Sequence, residues 1–243
     1  MATEKYTITK KQGGLRSGLM FYADGNTRDG MVDMISGSPG LIVGTGGSMV
    51  VEPSTRGWAF QQAVDSDARL VFNTPVLANL QSATELSLWW RGTCNDPYAH
   101  YILMGVAKAG EDGYLAVLDS GGDAELFLHL FQNGSFAVVG GSPIELLLDL
   151  QQQYLVTWKK DGETRFYREG QLFGVGGSNS LMLGTAGQYV TLGNLNAGSG
   201  GINGRTDGAA VWNRELRADE AMHLANDPLA LRRACWRKRI TNY

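Results

Sequence analysis

Cysteine is scarce in this chain, and the residue patterns of common catalytic and metal sites are absent. Cys94 and Cys235 are the only two cysteines among 243 residues. This excludes a disulfide-rich secreted scaffold, although one bridge between them stays geometrically open. The sequence contains no H-E-x-x-H or C-x-x-C metal motif, no G-x-S-x-G nucleophile elbow and no phosphate-binding P-loop. It therefore predicts a chain that is not an enzyme of those classes and carries no cofactor.

Long apolar runs and an excess of basic residues are missing as well. No stretch approaches the ~18 apolar residues of a membrane-spanning helix, so we expect no membrane partner. Residues 1–11 lack the apolar region of a secretory signal, so we expect synthesis in a cytosol without export by the usual route. The net charge of −3 argues against general nucleic-acid binding, which usually needs a basic domain.

Glycine, in contrast, is abundant, with 33 residues at roughly twice the usual share. These glycines follow no G-X-Y period, so they indicate tight turns between short strands rather than collagen. Strong turn signals occur at Asn133-Gly134, Asp161-Gly162 and Glu169-Gly170. Because two-residue hairpin turns need positive φ angles, these dipeptides predict a meander of antiparallel strands.

Residues 85–91 show the period of two that is typical of a strand. One face carries Leu86, Leu88 and Trp90, and the other carries Glu85, Ser87, Trp89 and Arg91. This alternation predicts a half-buried strand. One short helix is predicted over residues 217–226, where acidic residues favour its N-terminal end and Asn226-Asp227-Pro228 ends it.

An ordered series of segments resembles the laminin-G-like, concanavalin-A-like lectin/glucanase jelly-roll domains. The matching segments are 18–25, the Asp33-Met34-Ile35-Ser36-Gly37 turn, 58–60, the tryptophan-bearing 85–91, the double hairpin of 154–172, 189–193, and 204–216 followed by Asp219-Glu220. The resemblance implies an all-β fold: a two-sheet antiparallel β-sandwich with one short C-terminal helix. Because this fold serves lectins, hydrolases and structural proteins alike, it does not by itself imply one function.

The resemblance covers about residues 18–228, which sets the predicted domain organisation. Residues 1–17 are predicted to form an N-terminal arm, and residues 229–243 a basic C-terminal tail. A basic run can be a solvated terminus or an electrostatic handle for an acidic partner. The candidate docking residues are Lys10, Lys11, Arg16, Arg232, Arg233, Arg237, Lys238 and Arg239.

Two further sets of residues are candidates for ligand binding. Asp24, Asn26 and Asp29 collect oxygen atoms that could hold Ca²⁺, although the segment departs from the EF-hand pattern and also fits a turn that satisfies its own backbone. Trp89 and Tyr98 are candidates for stacking on sugar rings. For Trp89 the alternative is a place under a covering loop or in a subunit contact.

The resemblance, together with the missing export signal, suggests a bacteriophage virion protein. The predicted function is a non-enzymatic structural subunit, such as a capsid decoration, head-fibre or tail-associated protein, made in the host cytoplasm and assembled with other virion proteins as a homo-oligomer. The alternative is a carbohydrate-binding module that recognises a host surface polysaccharide. A glycan hydrolase is disfavoured, because the E-x-D-x-x-E run of laminarinase-type relatives is absent.

Overall fold

The computed structural model describes residues 14–27, 30–52, 57–63, 66–74, 80, 83–95, 101–107, 113–119, 125–132, 135–143, 149–177, 189–193, 203–227, 229–233 and 235. Within these ranges the chain forms sixteen strands and the helix α1 (Ala218–Asn226). The strands are β1 (Leu19–Thr27), β2 (Gly30–Asp33), β3 (Leu41–Val43), β4 (Gly47–Glu52), β5 (Gly57–Gln62), β6 (Arg69–Asn73), β7 (Glu85–Cys94), β8 (Tyr101–Ala107), β9 (Gly113–Asp119), β10 (Glu125–Gln132), β11 (Ser135–Pro143), β12 (Gln152–Lys159), β13 (Thr164–Arg168), β14 (Gln171–Gly176), β15 (Tyr189–Gly193) and β16 (Gly204–Trp212).

The strands form two antiparallel sheets. The nine-stranded sheet has the order β14-β13-β12-β7-β16-β1-β2, and the β4–β5 hairpin joins it through β16. The seven-stranded sheet has the order β11-β10-β9-β8-β15-β6-β3. This confirms the predicted two-sheet β-sandwich with one short C-terminal helix.

The predicted turns connect paired strands. Gln132 pairs with Ser135 on either side of Asn133-Gly134, a dipeptide that itself lies outside the described residues. The hairpin between β12 and β13 has Asp161 at φ 58°. Glu169 at φ 49° and Gly170 at φ 76° join β13 to β14, as a two-residue turn with two positive φ angles requires. The predicted antiparallel meander is therefore confirmed from β12 to β14.

The core lies between the two sheets and consists of the inward residues of alternating strands. Leu88 and Trp90 of β7 face it from the nine-stranded sheet, and Leu70 and Phe72 of β6 face it from the seven-stranded sheet. Each is almost fully buried, and such a side chain contributes about 1.5–3 kcal/mol of transfer free energy. The predicted face of Leu86, Leu88 and Trp90 is thus the core face.

Strand β7 differs from its prediction because its second face is buried too. Ser87, Trp89 and Arg91 are each at most 5% exposed. Trp89 lies in an outer layer that covers the nine-stranded sheet, formed by Leu15, Tyr22, Trp89, Leu155, Tyr167, Ala210, Trp212, Leu216, Ala221, Leu224, Leu231 and Cys235. The period of two reported the alternation correctly but could not show that a second layer covers this face.

Both ends of the described chain belong to that outer layer. Leu15 is buried, and its carbonyl accepts a hydrogen bond from Trp212 Nε1 at 2.6 Å. Leu231 is also buried, next to helix α1. Leu15, from the predicted arm, and Leu231 and Cys235, from the predicted tail, therefore pack on the sandwich.

Helix α1 begins after Arg217 without a Ser or Thr cap. The Arg217 backbone N–H donates instead to the Glu220 carboxylate at 3.1 Å. Burial alone would raise the pKa of Glu220, but hydrogen bonds from Arg214 and the Arg217 backbone outweigh it and hold the pKa below its usual value. The predicted helix over 217–226 is confirmed within one residue. In the described ranges no helix is long and apolar enough to cross a membrane.

The two cysteines lie on opposite sides of the nine-stranded sheet. Cys94 belongs to the inner core and Cys235 to the outer layer, and neither forms a disulfide. Burial raises the pKa of the Cys94 thiol to about 12. The bridge that the sequence left open is therefore excluded by the sheet between the two thiols.

Candidate functional site

A sandwich of two sheets has two outer faces, and here they differ. The outer face of the nine-stranded sheet lies under helix α1 and the two terminal segments. Trp89 is 2% exposed on this face, and its indole Nε1 donates to Gln153 at 3.2 Å. Neither face of its ring is open to a sugar, so the structure supports the alternative that Trp89 lies beneath a covering segment.

A buried ion pair stabilises the same covered face. Arg91 Nε lies 2.8 Å from Asp207 Oδ1, and both side chains are at most 6% exposed. Gln151 Nε2 donates to the second oxygen of Asp207 at 2.5 Å, and the Arg91 guanidinium lies 5.8 Å from the centroid of the Trp89 ring. A local bulge between Thr206 and Gly208 sets the position of Asp207. These contacts satisfy the buried charges and give them a structural role.

Of the three candidate calcium ligands, only Asp24 has a described side chain, so the calcium site stays a prediction. Asp24 is 2% exposed, and one of its carboxylate oxygens accepts a hydrogen bond from the Tyr22 hydroxyl at 2.5 Å. Burial, followed by the nearby Asp24 charge, raises the pKa of Tyr22 well above its usual value. Among the described residues no group of three His, Cys, Asp or Glu side chains could hold a metal. The side chain of Asn26 and all of Asp29 lie outside the described residues.

Asp33 shows that the family-like turn after β2 is structural. Its carboxylate accepts hydrogen bonds from the backbone N–H groups of Tyr22 and Ile35 at 3.2 and 3.0 Å. It also accepts one from the Ser36 hydroxyl at 2.5 Å and one from the Ser36 backbone at 3.2 Å. A buried carboxylate with this many donors holds the turn and has little capacity left for a ligand.

The outer face of the seven-stranded sheet is different in kind. Along β10, Leu126 and Leu128 point into the core, so Phe127 and His129 lie on the outer face, where both are half-buried. Their rings are 5.3 Å apart at an interplanar angle of 59°. They form a mixed aromatic and polar pair on a sheet face.

Further residues of this outer face lie across the sheet. On β6, Arg69, Val71 and Asn73 alternate with the core residues Leu70 and Phe72. Tyr189 of β15 pairs with Asn73 and is half-buried on the same face.

The strand register connects these positions in one row. Val71 pairs with Thr191, Thr191 with Gly105, Gly105 with Leu115, and Leu115 with His129. Four steps between adjacent strands give a row of about 19 Å. In the middle of this row Thr191 is 1% exposed and Gly105 is buried, whereas the residues towards its ends are half-buried and Asn73 is exposed. We call this surface the open face, because no described helix or terminal segment packs on it, and define it by Arg69, Val71, Asn73, Phe127, His129 and Tyr189.

The open face was not identified from the sequence. From residues 124–139 the sequence predicted only the hairpin turn at Asn133-Gly134. His129 was predicted to be a surface or packed residue with no role in a site. The alternation of Leu126 and Leu128 with Phe127 and His129 was the available signal. It shows a two-faced strand, but only the sheet order shows which other strands share the face.

The basic docking candidates are only partly described. Arg16 is exposed and lines a pocket of about 180 Å³ together with Leu19, Met34, Ile35 and Cys235. Arg233 is ion-paired with Asp227, so its charge is engaged within the chain, whereas Arg232 is half-buried. Lys10, Lys11, Arg237, Lys238, Arg239 and the sugar candidate Tyr98 lie outside the described residues and stay predictions.

Two antiparallel sheets packed face to face define a lectin-like jelly roll. Residues 64–222, more than half of the chain, match the sequence profile of the concanavalin A-like lectin/glucanases superfamily. The chain belongs to that superfamily. No curated protein matches the chain in sequence.

Solved structures that resemble the chain include binding domains of botulinum neurotoxins. The binding domain of botulinum neurotoxin DC, solved with rat synaptotagmin II, has a TM-score of 0.65 at 12% identity, over 86% of this chain and 51% of its own. A structure of botulinum neurotoxin type C, whose cell entry depends on two ganglioside molecules, also has a TM-score of 0.65 at 12% identity, over 86% of this chain and 51% of its own. The serotype G binding domain has a TM-score of 0.65 at 12% identity, over 87% of this chain and 51% of its own. The chain spans about half the length of these structures, and at this identity the likeness shows the fold alone.

Proposed function

We propose that this protein is a non-catalytic recognition domain that binds carbohydrate on the open face. The observation that carries the proposal is the contrast between the two outer faces. One lies under helix α1 and the terminal segments, whereas the other carries the ring pair Phe127 and His129 with polar side chains nearby.

The chemistry of the open face suits a sugar. Aromatic rings pack against the apolar face of a sugar ring, while a few polar groups fix its hydroxyls. Asn73 is exposed and supplies an amide, whereas Arg69 Nε and His129 Nε2 are buried and would reach a sugar only after their side chains move. Membership of a lectin-containing superfamily and likeness to toxin binding domains support the same choice over the structural role.

The experiment is a glycan array probed with the purified full-length protein, with and without Ca²⁺, followed by calorimetry on any glycan that binds. Phe127→Ala and His129→Ala should each weaken binding at least ~10-fold, which corresponds to ~1.4 kcal/mol. Leu172→Ala is the matched control, since Leu172 is an exposed apolar residue on β14 of the other sheet. Binding that is unchanged in Phe127→Ala, or an array without any bound glycan, would contradict the proposal.

A hydrolysis assay tests the non-catalytic half of the proposal. The register places Asp119 of β9 opposite Glu125 of β10 at one end of the sheet. Two carboxylates near a sugar are the requirement of a glycosidase, so the bound glycan should be incubated with the protein and its reducing ends counted. We expect no release above the buffer rate, and release that is lost in Glu125→Gln would show an enzyme.

The structural role in a virion is the second candidate. Described residues of both terminal segments, Leu15, Ala230, Leu231 and Cys235, lie in the outer layer of the nine-stranded sheet, away from the open face. A domain held through that layer would leave the open face free for a ligand, so the two roles are compatible. Mass spectrometry of particles purified from a source bacteriophage tests this role, and the absence of the protein from such particles would remove it.

A further inference from the structure

In the described part of the chain, the outer edge of β3 has no paired strand. β3 ends the order of the seven-stranded sheet and pairs with β6 alone. Its three residues are all exposed, Leu41 at 63% and Ile42 and Val43 at 40% each. Leu41 and Val43 lie on one face and Ile42 on the other, so both faces of this edge are apolar and accessible.

Two other described sheet edges are covered, whereas β4, like β3, pairs with one strand alone. β14, at one end of the nine-stranded sheet, packs along β11, the far end of the seven-stranded sheet. β2, at the other end of the nine-stranded sheet, packs against β5. Among the described strands, none makes a comparable contact with the outer edge of β3. With respect to the described strands, this edge therefore keeps backbone N–H and C=O groups available to another strand.

The chain segment that contains β3 carries no charge, although Arg69 of the neighbouring β6 pairs with Val43. Residues 34–51 contain no Asp, Glu, Lys or Arg, although 19% of the whole chain is charged. Natural edge strands are commonly protected from pairing by a lysine, a proline or a bulge, and Leu41–Val43 contain none of these. The edge is unprotected in sequence and is limited only by its short length.

We propose that β3 pairs antiparallel with β3 of a second copy of this chain, so that two seven-stranded sheets join edge to edge in a dimer with two-fold symmetry. A two-fold axis at Ile42 places this residue opposite its own copy and Leu41 opposite Val43 of the second copy. Every cross-strand pair in such an interface is apolar. A chain with net charge −3 repels its own copy elsewhere, but an edge without charges brings no like charges together.

A second copy fits this edge better than an unlike partner for two reasons. The edge offers no charge for an oppositely charged partner to recognise. Its Leu-Ile-Val sequence is its own apolar complement in antiparallel pairing. The open face lies on the broad side of the sheet, so edge pairing would leave two open faces accessible in one dimer.

The test is sedimentation equilibrium of the full-length protein over a range of concentrations. We expect a mass of twice 26.3 kDa for the natural sequence and 26.3 kDa for Ile42→Lys. The substitution should raise the dissociation constant of the dimer by about 100-fold or more, because both copies lose an apolar side chain and two like charges face each other.

Leu172→Lys, at an exposed position of β14, is the matched control and should leave the dimer intact. Circular dichroism and thermal unfolding of both variants must match the natural protein, since Ile42 is exposed and its replacement should not unfold the sandwich. Concentration-dependent protection of the 41–43 amides from hydrogen exchange should report the new backbone pairing. A monomer at every concentration, or a dimer that Ile42→Lys leaves unchanged, would overturn the proposal and leave the edge to a different partner.

Discussion

Replacing Asp207 with asparagine should destabilise the sandwich strongly. The substitution keeps the size of the side chain but removes the charge that faces Arg91 Nε at 2.8 Å. Both side chains are at most 6% exposed, so Arg91 would stay buried without its carboxylate. Breaking one partner of a buried pair costs about 3–5 kcal/mol. For a domain of this size the melting temperature should then fall by roughly 6–20 °C.

Urea unfolding followed by tryptophan fluorescence and far-ultraviolet circular dichroism measures this loss. Asp219→Asn is the control, because Asp219 pairs with Arg217 at 2.9 Å on the surface and should cost at most ~1 kcal/mol. The double variant Arg91→Met/Asp207→Leu should be more stable than Asp207→Asn, since no charge is then left buried. A cost below ~0.5 kcal/mol for Asp207→Asn would refute the assigned role of the pair.

Three further predictions follow from other contacts. Gly25→Ala should prevent folding, because its Cβ would lie 1.4 Å from a backbone carbonyl oxygen of β5, whereas Gly177→Ala, with no atom within 4 Å, should express normally. Cys235 lines the pocket and should react with a thiol reagent in the native protein faster than Cys94. The complete burial of Cys94 and its raised pKa of about 12 should delay its reaction until unfolding, and equal rates would contradict the separation of the two thiols into two layers. Arg214→Ala should make the N-terminal turn sensitive to protease, because Arg214 donates to the Ser17 carbonyl at 2.6 Å and to the Gly14 carbonyl at 3.1 Å; an unchanged digestion pattern would count against this.

Much of the fold was available from the sequence because its signals are local. The Asp161-Gly162 and Glu169-Gly170 turns each involve only a few residues, some of which have a positive φ angle. Asp and Gly favour such turns without help from the rest of the chain. The alternation at 85–91 likewise follows from the backbone geometry of a strand. Helix α1 was predicted from its acidic first turn and its Asn-Asp-Pro end.

The candidate site was not available in the same way. Trp89 was a candidate for stacking on a sugar, with a place under a covering loop or in a subunit contact as the alternative, and residues from both ends of the described chain cover it. Phe127 and His129, in contrast, lie in a segment from which only a hairpin turn was predicted. The residues next to Trp89, Phe127 and His129 in the sequence do not indicate whether their strand face is covered, because elements that are distant in sequence cover a strand.

The amino-acid sequence alone determined where the chain turns, which residues alternate, and that two antiparallel sheets with a short helix would result. Among the described residues, the tertiary structure decided which outer face lies under helix α1 and the terminal segments and which strands lie at the edges of the sheets. The physical reason is the range of the contacts involved. A hairpin turn is settled within four residues, whereas the outer layer depends on contacts such as that between Leu15 and Trp212, whose atoms meet at 2.6 Å only after the sheets have assembled.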